Sequence, residues 1–174
     1  MNHREIIFVG GIHAVGKGTV CKELAQKFDF VHLSASQVLK WNEISDAKNK
    51  KVQNFTTTQD RLLTNLNRIV KPTEKYLLDG HFTLLNSNGE PEKIDESTFV
   101  GIQPKSIILL TCERKIIFER LKKRDDSTYK LSVLEKMQQM EVEHAKYISK
   151  KLKIPLFTVI DGNTNSVIEH LKNL

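Results

Sequence analysis

Cysteine, long apolar runs and repeated segments are what this chain has least of. Only 2 cysteines occur in 174 residues, Cys21 and Cys112, and both fall inside apolar-periodic segments. That excludes a disulfide framework and leaves reduced core thiols in a cytoplasmic protein as the expectation. No apolar run approaches the ~20 residues that a bilayer-spanning helix needs, so no membrane association is expected. The run Ile6–Val9 follows Arg4 and Glu5 and leads straight into glycines, which reads as a strand and not as the core of a signal peptide. No internal repeat, low-complexity tract or linker divides the chain. Nor does a basic stripe interleaved with aromatics argue for single-stranded nucleic acid.

What is present is ordinary in bulk. Hydrophobic residues make up 39% and charged ones 28%, too apolar for disorder and of a length that suits one domain over residues 1–174. The formal net charge is +6. Solvated basic helix faces account for it, as with Lys146, Lys150, Lys151 and Lys153, which alternate with apolar residues. Attraction to nucleotides or nucleic acid is the other reading of the same charge, with nucleic acid not favoured.

Strand and helix patterns alternate from end to end. Ile6–Val9 is a short apolar run closed by Gly10 and Gly11, as expected of a buried parallel strand. Val20, Cys21, Leu24 and Phe28 then recur at helical spacing, predicting a helix from about Lys17 to Phe28. A second helix runs through Leu62, Leu63, Leu66, Ile69 and Val70 to Pro72, followed by a strand at Tyr76–Asp79. His81–Leu85 and Glu90–Ile94 flank Asn86-Ser87-Asn88-Gly89, a hairpin-like turn signal. Ser106–Leu110 is an apolar strand, Ile116–Leu121 a helix, Leu131–Leu152 a long helix, Pro155–Ile160 the last strand and Val167–Leu171 a closing helix. Strands separated by helices predict a three-layer α/β fold: a parallel sheet of about five strands with helices on both faces.

Gly11-Ile12-His13-Ala14-Val15-Gly16-Lys17-Gly18-Thr19 follows the first strand and opens the first helix, which is the context a phosphate-binding P-loop requires. Glycines let successive backbone N–H groups turn inward around a phosphate, and the helix N-terminus adds partial positive charge. Gly11, Ala14, Val15, Gly16, Lys17, Gly18 and Thr19 are therefore the candidate ATP-binding set, with Lys17 over the outer phosphates. Asp79 ends an apolar strand, where such enzymes place the acid that holds magnesium; capping the next turn is its alternative role. Thr19 is the candidate hydroxyl ligand to the same Mg²⁺, although Gly18 takes the place after the lysine where that hydroxyl is commonest. His81 follows at Asp-x-His spacing; a neutral imidazole there could position a water or an acceptor hydroxyl, or simply bond within its turn. His13 reads as a loop residue. Arg120 and Arg124, four apart, share one helix face.

The ending Gly16-Lys17-Gly18-Thr19 resembles that of the adenylate kinases, and the likeness continues through His32-Leu33-Ser34, Gln103-Pro104, Arg120–Arg124 and Ile160-Asp161-Gly162. The resemblance implies a P-loop NTPase fold of nucleoside monophosphate kinase type. It further implies an acceptor-binding helical insert at about 34–70 and a short lid at about 122–131, with Arg120 on the adenine and Arg124 on the phosphates. Ser34 and Lys40 then become candidate acceptor-binding residues, with His81 beside them. The acceptor half departs from the family pattern. Ala35-Ser36-Gln37 replaces Thr-Gly-Asp, Lys40 replaces an arginine, and His81-Phe82-Thr83 replaces aromatic-Pro-Arg. Two later arginines are missing near Gln138 and Gln139. Asp79-x-His81 instead resembles archaeal-type adenylate kinases and related ATPases. The expected function is an ATP- and Mg²⁺-dependent phosphotransferase acting on a nucleoside monophosphate or another small acceptor. The alternative is a nucleotide-switched ATPase that works with a protein or RNA partner.

Overall fold

The computed structural model describes residues 4–40, 55–125 and 130–174. Uninterrupted apolar runs form the middle of its main sheet: β1 (Glu5–Gly10), β3 (Lys75–Asp79) and β6 (Ser106–Thr111). Edge strands β2 (Val31–Ser34) and β7 (Leu156–Ile160) complete a 5-stranded parallel sheet in the order β2-β3-β1-β6-β7. Register is set residue by residue, with Val9 opposite Asp79 on one side and Ile108 on the other.

Side chains alternate across each strand, so both faces of the sheet need cover. Ile7 and Val9 face a layer containing Val20, Cys21 and Leu24 of α1 (Lys17–Phe28), Ile117 and Leu121 of α5 (Arg114–Asp125), and Val167 and Leu171 of α7 (Asn165–Lys172). Ile6 and Phe8 face the opposite layer, with Val38 of α2 (Ala35–Lys40), Leu62 and Leu66 of α3 (Phe55–Ile69), and Phe99 and Ile102 of α4 (Glu96–Ile102). Each such side chain, once buried, contributes about 1.5–3 kcal/mol. The 22-residue α6 (Leu131–Leu152) serves both layers: Leu134 and Met137 enter the first core, Ala145 and Ile148 the second. Its midpoint therefore passes the end of the sheet where the P-loop begins.

The expected strands and helices are present, with two additions. β2 is an edge strand with an exposed Val31 and half-buried neighbours, so its periodicity is weak. α4 has 7 residues, too few for a periodic signal, and starts at Asp95, whose carboxylate accepts the Ser97 N–H. The expected hairpin forms from β4 (Thr83–Leu85) and β5 (Pro91–Lys93), antiparallel and shorter than the patterns that announced it. Of the expected acceptor insert, residues 41–54 lie outside the described residues, between α2 and α3. Of the expected lid, residues 122–125 continue α5, 126–129 lie outside the described residues, and Leu131 already begins α6.

The entry to the P-loop is packed without slack. A Cβ on Gly10 would stand 2.4 Å from the Phe82 ring, which is stacked on Phe99 at 4.8 Å and edge-on to Phe8 at 5.0 Å. That ring cannot step aside, so Gly10→Ala is expected to cost about 1–3 kcal/mol as overpacking. Urea denaturation should show a lower midpoint with an unchanged m-value.

Candidate active site

β1 has β3 on one side and β6 on the other, so the chain leaves the sheet in opposite directions at its C-terminal edge and opens a crevice there. The P-loop fills it. Gly11 has φ 149° and its Cβ position is occupied by Val15 and the Leu110 carbonyl, at 2.8 and 2.9 Å. Gly16, at φ 106°, turns the chain into α1, whose first residue is Lys17. Lys17 is 8% exposed. Its Nζ folds back to donate to the carbonyls of Gly11 at 2.7 Å and Ile12 at 3.2 Å. Burial pulls its pKa below the ordinary lysine range, while the Glu141 and Asp79 carboxylates push it back up.

A cavity of about 550 Å³ stands over this loop. Arg120 and Arg124 reach it from one helix face, as their spacing implies. The Arg120 Nη1 donates to the carbonyls of Ala14 and Val15, at 3.1 and 3.3 Å. Thr19, Ser34 and Asp79 line the same cavity. Asp79 Oδ2 lies 2.5 Å from His32 Nε2, and the Ser34 hydroxyl bonds that of Ser36 at 2.8 Å. The Thr19 hydroxyl and Asp79 carboxylate are hard oxygen donors and suit magnesium. The Cys21 thiol lies within 4.8 Å of the His32 and Asp79 donor atoms. Burial pushes that thiol far up, and as a soft sulfur donor it does not suit magnesium.

His81 Nδ1 lies 2.8 Å from the Gly11 carbonyl. A carbonyl only accepts, so Nδ1 carries the proton and Nε2 keeps a lone pair. Burial first, then the charge of Lys17 and the neighbouring His13, hold His81 well below the ordinary histidine range. It is neutral at physiological pH. The His13 ring, in the P-loop, lies 4.3 Å from it. Both rings, with Ala35, Ser36 and Gly80, also line a second cavity of about 890 Å³ beside the first. Lys40, expected at the acceptor, ends α2 exposed and lines neither cavity.

Glu141 was not signalled by any motif. Its carboxylate, 1% exposed, accepts from Gly11 N at 2.9 Å, Phe82 N at 2.8 Å, Thr83 N at 2.7 Å and the Thr83 hydroxyl at 2.6 Å. Burial raises its pKa; the Thr83 and Phe82 donors and the Lys17 charge work against that. Every partner donates, so the charged form is the one the site satisfies. The sequence held one clue: Glu141 interrupts the apolar stripe Leu134, Met137, Ala145, Ile148. One turn before it, Gln138 brackets Cys112, accepting its N–H at 3.2 Å and donating to its carbonyl at 3.0 Å.

Glu141→Ala would leave three buried backbone donors and the Thr83 hydroxyl without their acceptor. A loss of about 3–5 kcal/mol is expected in urea denaturation, the scale of a broken buried charge network. His81 gives a pH signature. Its folded pKa is depressed, so the unfolded chain takes the proton first. Stability is complete above the ordinary histidine pKa of 6.5 and is lost as pH falls from there toward the lowered value. His81→Asn, which can still donate to the Gly11 carbonyl, should lose less stability than the parent between about pH 7 and 5.

The AAA domain family model matches residues 10–138, from the P-loop entry through Arg124 but ending short of Glu141. UMP-CMP kinase 1 of Oryza sativa subsp. japonica is 25% identical over 183 residues, covering 96% of this chain and 72% of that protein. Adenylate kinase isoenzyme 1 of Homo sapiens is 27% identical over 135 residues, covering 71% of this chain and 66% of the kinase. Among solved structures, a candidate kinase from Chloroflexus aurantiacus J-10-fl superposes with a TM-score of 0.61 at 16% identity, covering 99% and 98% of the two chains. This chain belongs to the AAA-domain family of P-loop proteins, and its fold and its curated relatives are those of P-loop kinases.

Proposed function

We propose that this P-loop kinase transfers the terminal phosphoryl group of ATP to a small acceptor held in the second cavity. The observation that carries the reading is the shared wall. His13, Ala35, Ser36, Gly80 and His81 belong to both cavities, so a donor over the P-loop and an acceptor next door would meet there. The backbone N–H groups of Ala14, Val15, Gly16, Lys17, Gly18 and Thr19 make the phosphate cradle in this reading, while Gly11, whose N–H is held by Glu141, shapes the entry to the loop. Lys17 exchanges its two carbonyl partners for the outer phosphate oxygens, and Arg120 and Arg124 offset charge from above. Thr19 and Asp79 would hold magnesium, which would supply charge neutralisation to the phosphates.

The acceptor oxygen forms a bond to the γ-phosphorus as the bond to the β,γ-bridging oxygen breaks and ADP leaves. The acceptor's proton passes to His81 Nε2, the imidazole nitrogen left free by the bond to Gly11. Ser34 lies on the donor side and orients what approaches, and Lys40 reaches the site only if α2 shifts. The helices α2 and α3 form the acceptor side of one domain, and the end of α5, with Arg120 and Arg124, covers the donor. Cys21 and Cys112, both free and buried, suit a cytoplasmic protein.

Purified protein with ATP and magnesium is expected to form ADP in step with acceptor phosphorylation. Phosphate release alone, unaffected by any acceptor, would instead support a switch ATPase. Lys17→Met should lower kcat by about 10²–10³-fold or more, as for loss of a preorganised charge donor. His81→Asn should lower kcat by about 10²–10⁴-fold with the KM for ATP little changed.

A further inference from the structure

We infer that the acceptor is an uncharged, hydroxyl-bearing molecule with an apolar or aromatic body, and not a phosphomonoester. This rests on the transfer reading above and specifies its substrate.

The charges of the two cavities differ sharply. Lys17, Arg120 and Arg124 all line the donor cavity and none of them lines the second. Among the described residues no lysine or arginine lines the second cavity, whose one charged side chain is the Glu92 carboxylate. His81 on the shared wall is held neutral by its burial and by the charge of Lys17. Among the described residues, a monophosphate dianion placed there would meet the Glu92 carboxylate and no lysine or arginine, an expensive burial.

The walls suit a different guest. Leu39, Leu62, Ile94, Phe99 and Ile102 supply apolar surface, and Phe99 is backed by the stacked Phe82 and the edge-on Phe8, which fixes its ring. Gln59 and Asn86 add uncharged amides able to bond hydroxyl or ring polar groups. A volume of about 890 Å³ holds a nucleoside-sized molecule comfortably. The hydroxyl then lies toward His81, where the proton leaves for Nε2 and the oxygen takes the phosphoryl group from ATP, leaving ADP. The new phosphate is formed on the cationic side of His81 and meets no lysine or arginine among the described residues of the second cavity, which favours release. The enzyme therefore installs a first phosphate, and its product is a monoester.

The test uses the full chain with γ-labelled ATP and magnesium. Adenosine, cytidine, uridine and benzyl alcohol are compared with adenosine, cytidine and uridine 5′-monophosphates and benzyl phosphate. Labelling of an uncharged alcohol with kcat/KM at least 100-fold above that of its monophosphate is the expected result. A monophosphate that outperforms its parent alcohol overturns the inference and leaves the transfer reading standing. Phosphate release with no acceptor labelled overturns both. Leu84→Trp, at a half-buried hairpin position on the cavity wall, narrows the second cavity only. The KM for the alcohol should rise at least 10-fold with the KM for ATP unchanged, a split that poor folding does not produce. An unchanged alcohol KM would contradict the placement of the acceptor.

Discussion

One buried carboxylate holds the site together. Glu141, midway along α6, accepts from the first peptide of the P-loop and from two successive peptides after β3. A charged group so deeply buried costs several kcal/mol in lost hydration, and four donors at 2.6–2.9 Å offset it. Gly11 is bound on both sides, its N–H to Glu141 and its carbonyl to His81 and Lys17. Donor loop, candidate base and P-loop lysine are thus tied together through the backbone of one residue. α6 can deliver Glu141 there because its two halves are anchored in different cores.

From that anchor the site divides by charge. The P-loop side collects Lys17, Arg120 and Arg124, each bonded to loop carbonyls or facing the cavity above them. The hairpin side is apolar, walled by aromatic rings that pack in fixed edge and stacked geometries. His81 lies on the boundary with its tautomer set by Gly11 and its charge suppressed by burial and then by Lys17. In the proposed reaction this neutral imidazole, with one free nitrogen between a cationic and an apolar chamber, takes the acceptor's proton. The geometry that makes the loop bind phosphate also makes the histidine neutral.

Much of this was legible in the residues. Continuous apolar runs announced β1, β3 and β6 because strands covered on both faces cannot alternate. The glycine spacing announced the P-loop, and i,i+4 spacing put Arg120 and Arg124 together. β2 and α4 escaped notice because an edge strand and a two-turn helix bury too little to leave a pattern. Glu141 escaped because its partners lie 58, 59 and 130 residues away, a relation no local window carries. Lys40 was placed at the acceptor by resemblance; the phase of α2 turns Val38 inward and leaves Lys40 in solvent.

The central claim is that the donor lies over the P-loop and points across His81 into an adjoining acceptor chamber. A crystal structure with magnesium and a non-transferable ATP analogue tests it most directly. The account predicts phosphates cradled at Gly16–Thr19, Lys17 Nζ moved from the Gly11 carbonyl to the outer phosphates, and the γ-phosphate facing His81 with the second cavity free. An adenine ring seated among Leu62, Phe99 and Ile102, or a γ-phosphate turned away from His81, would contradict it.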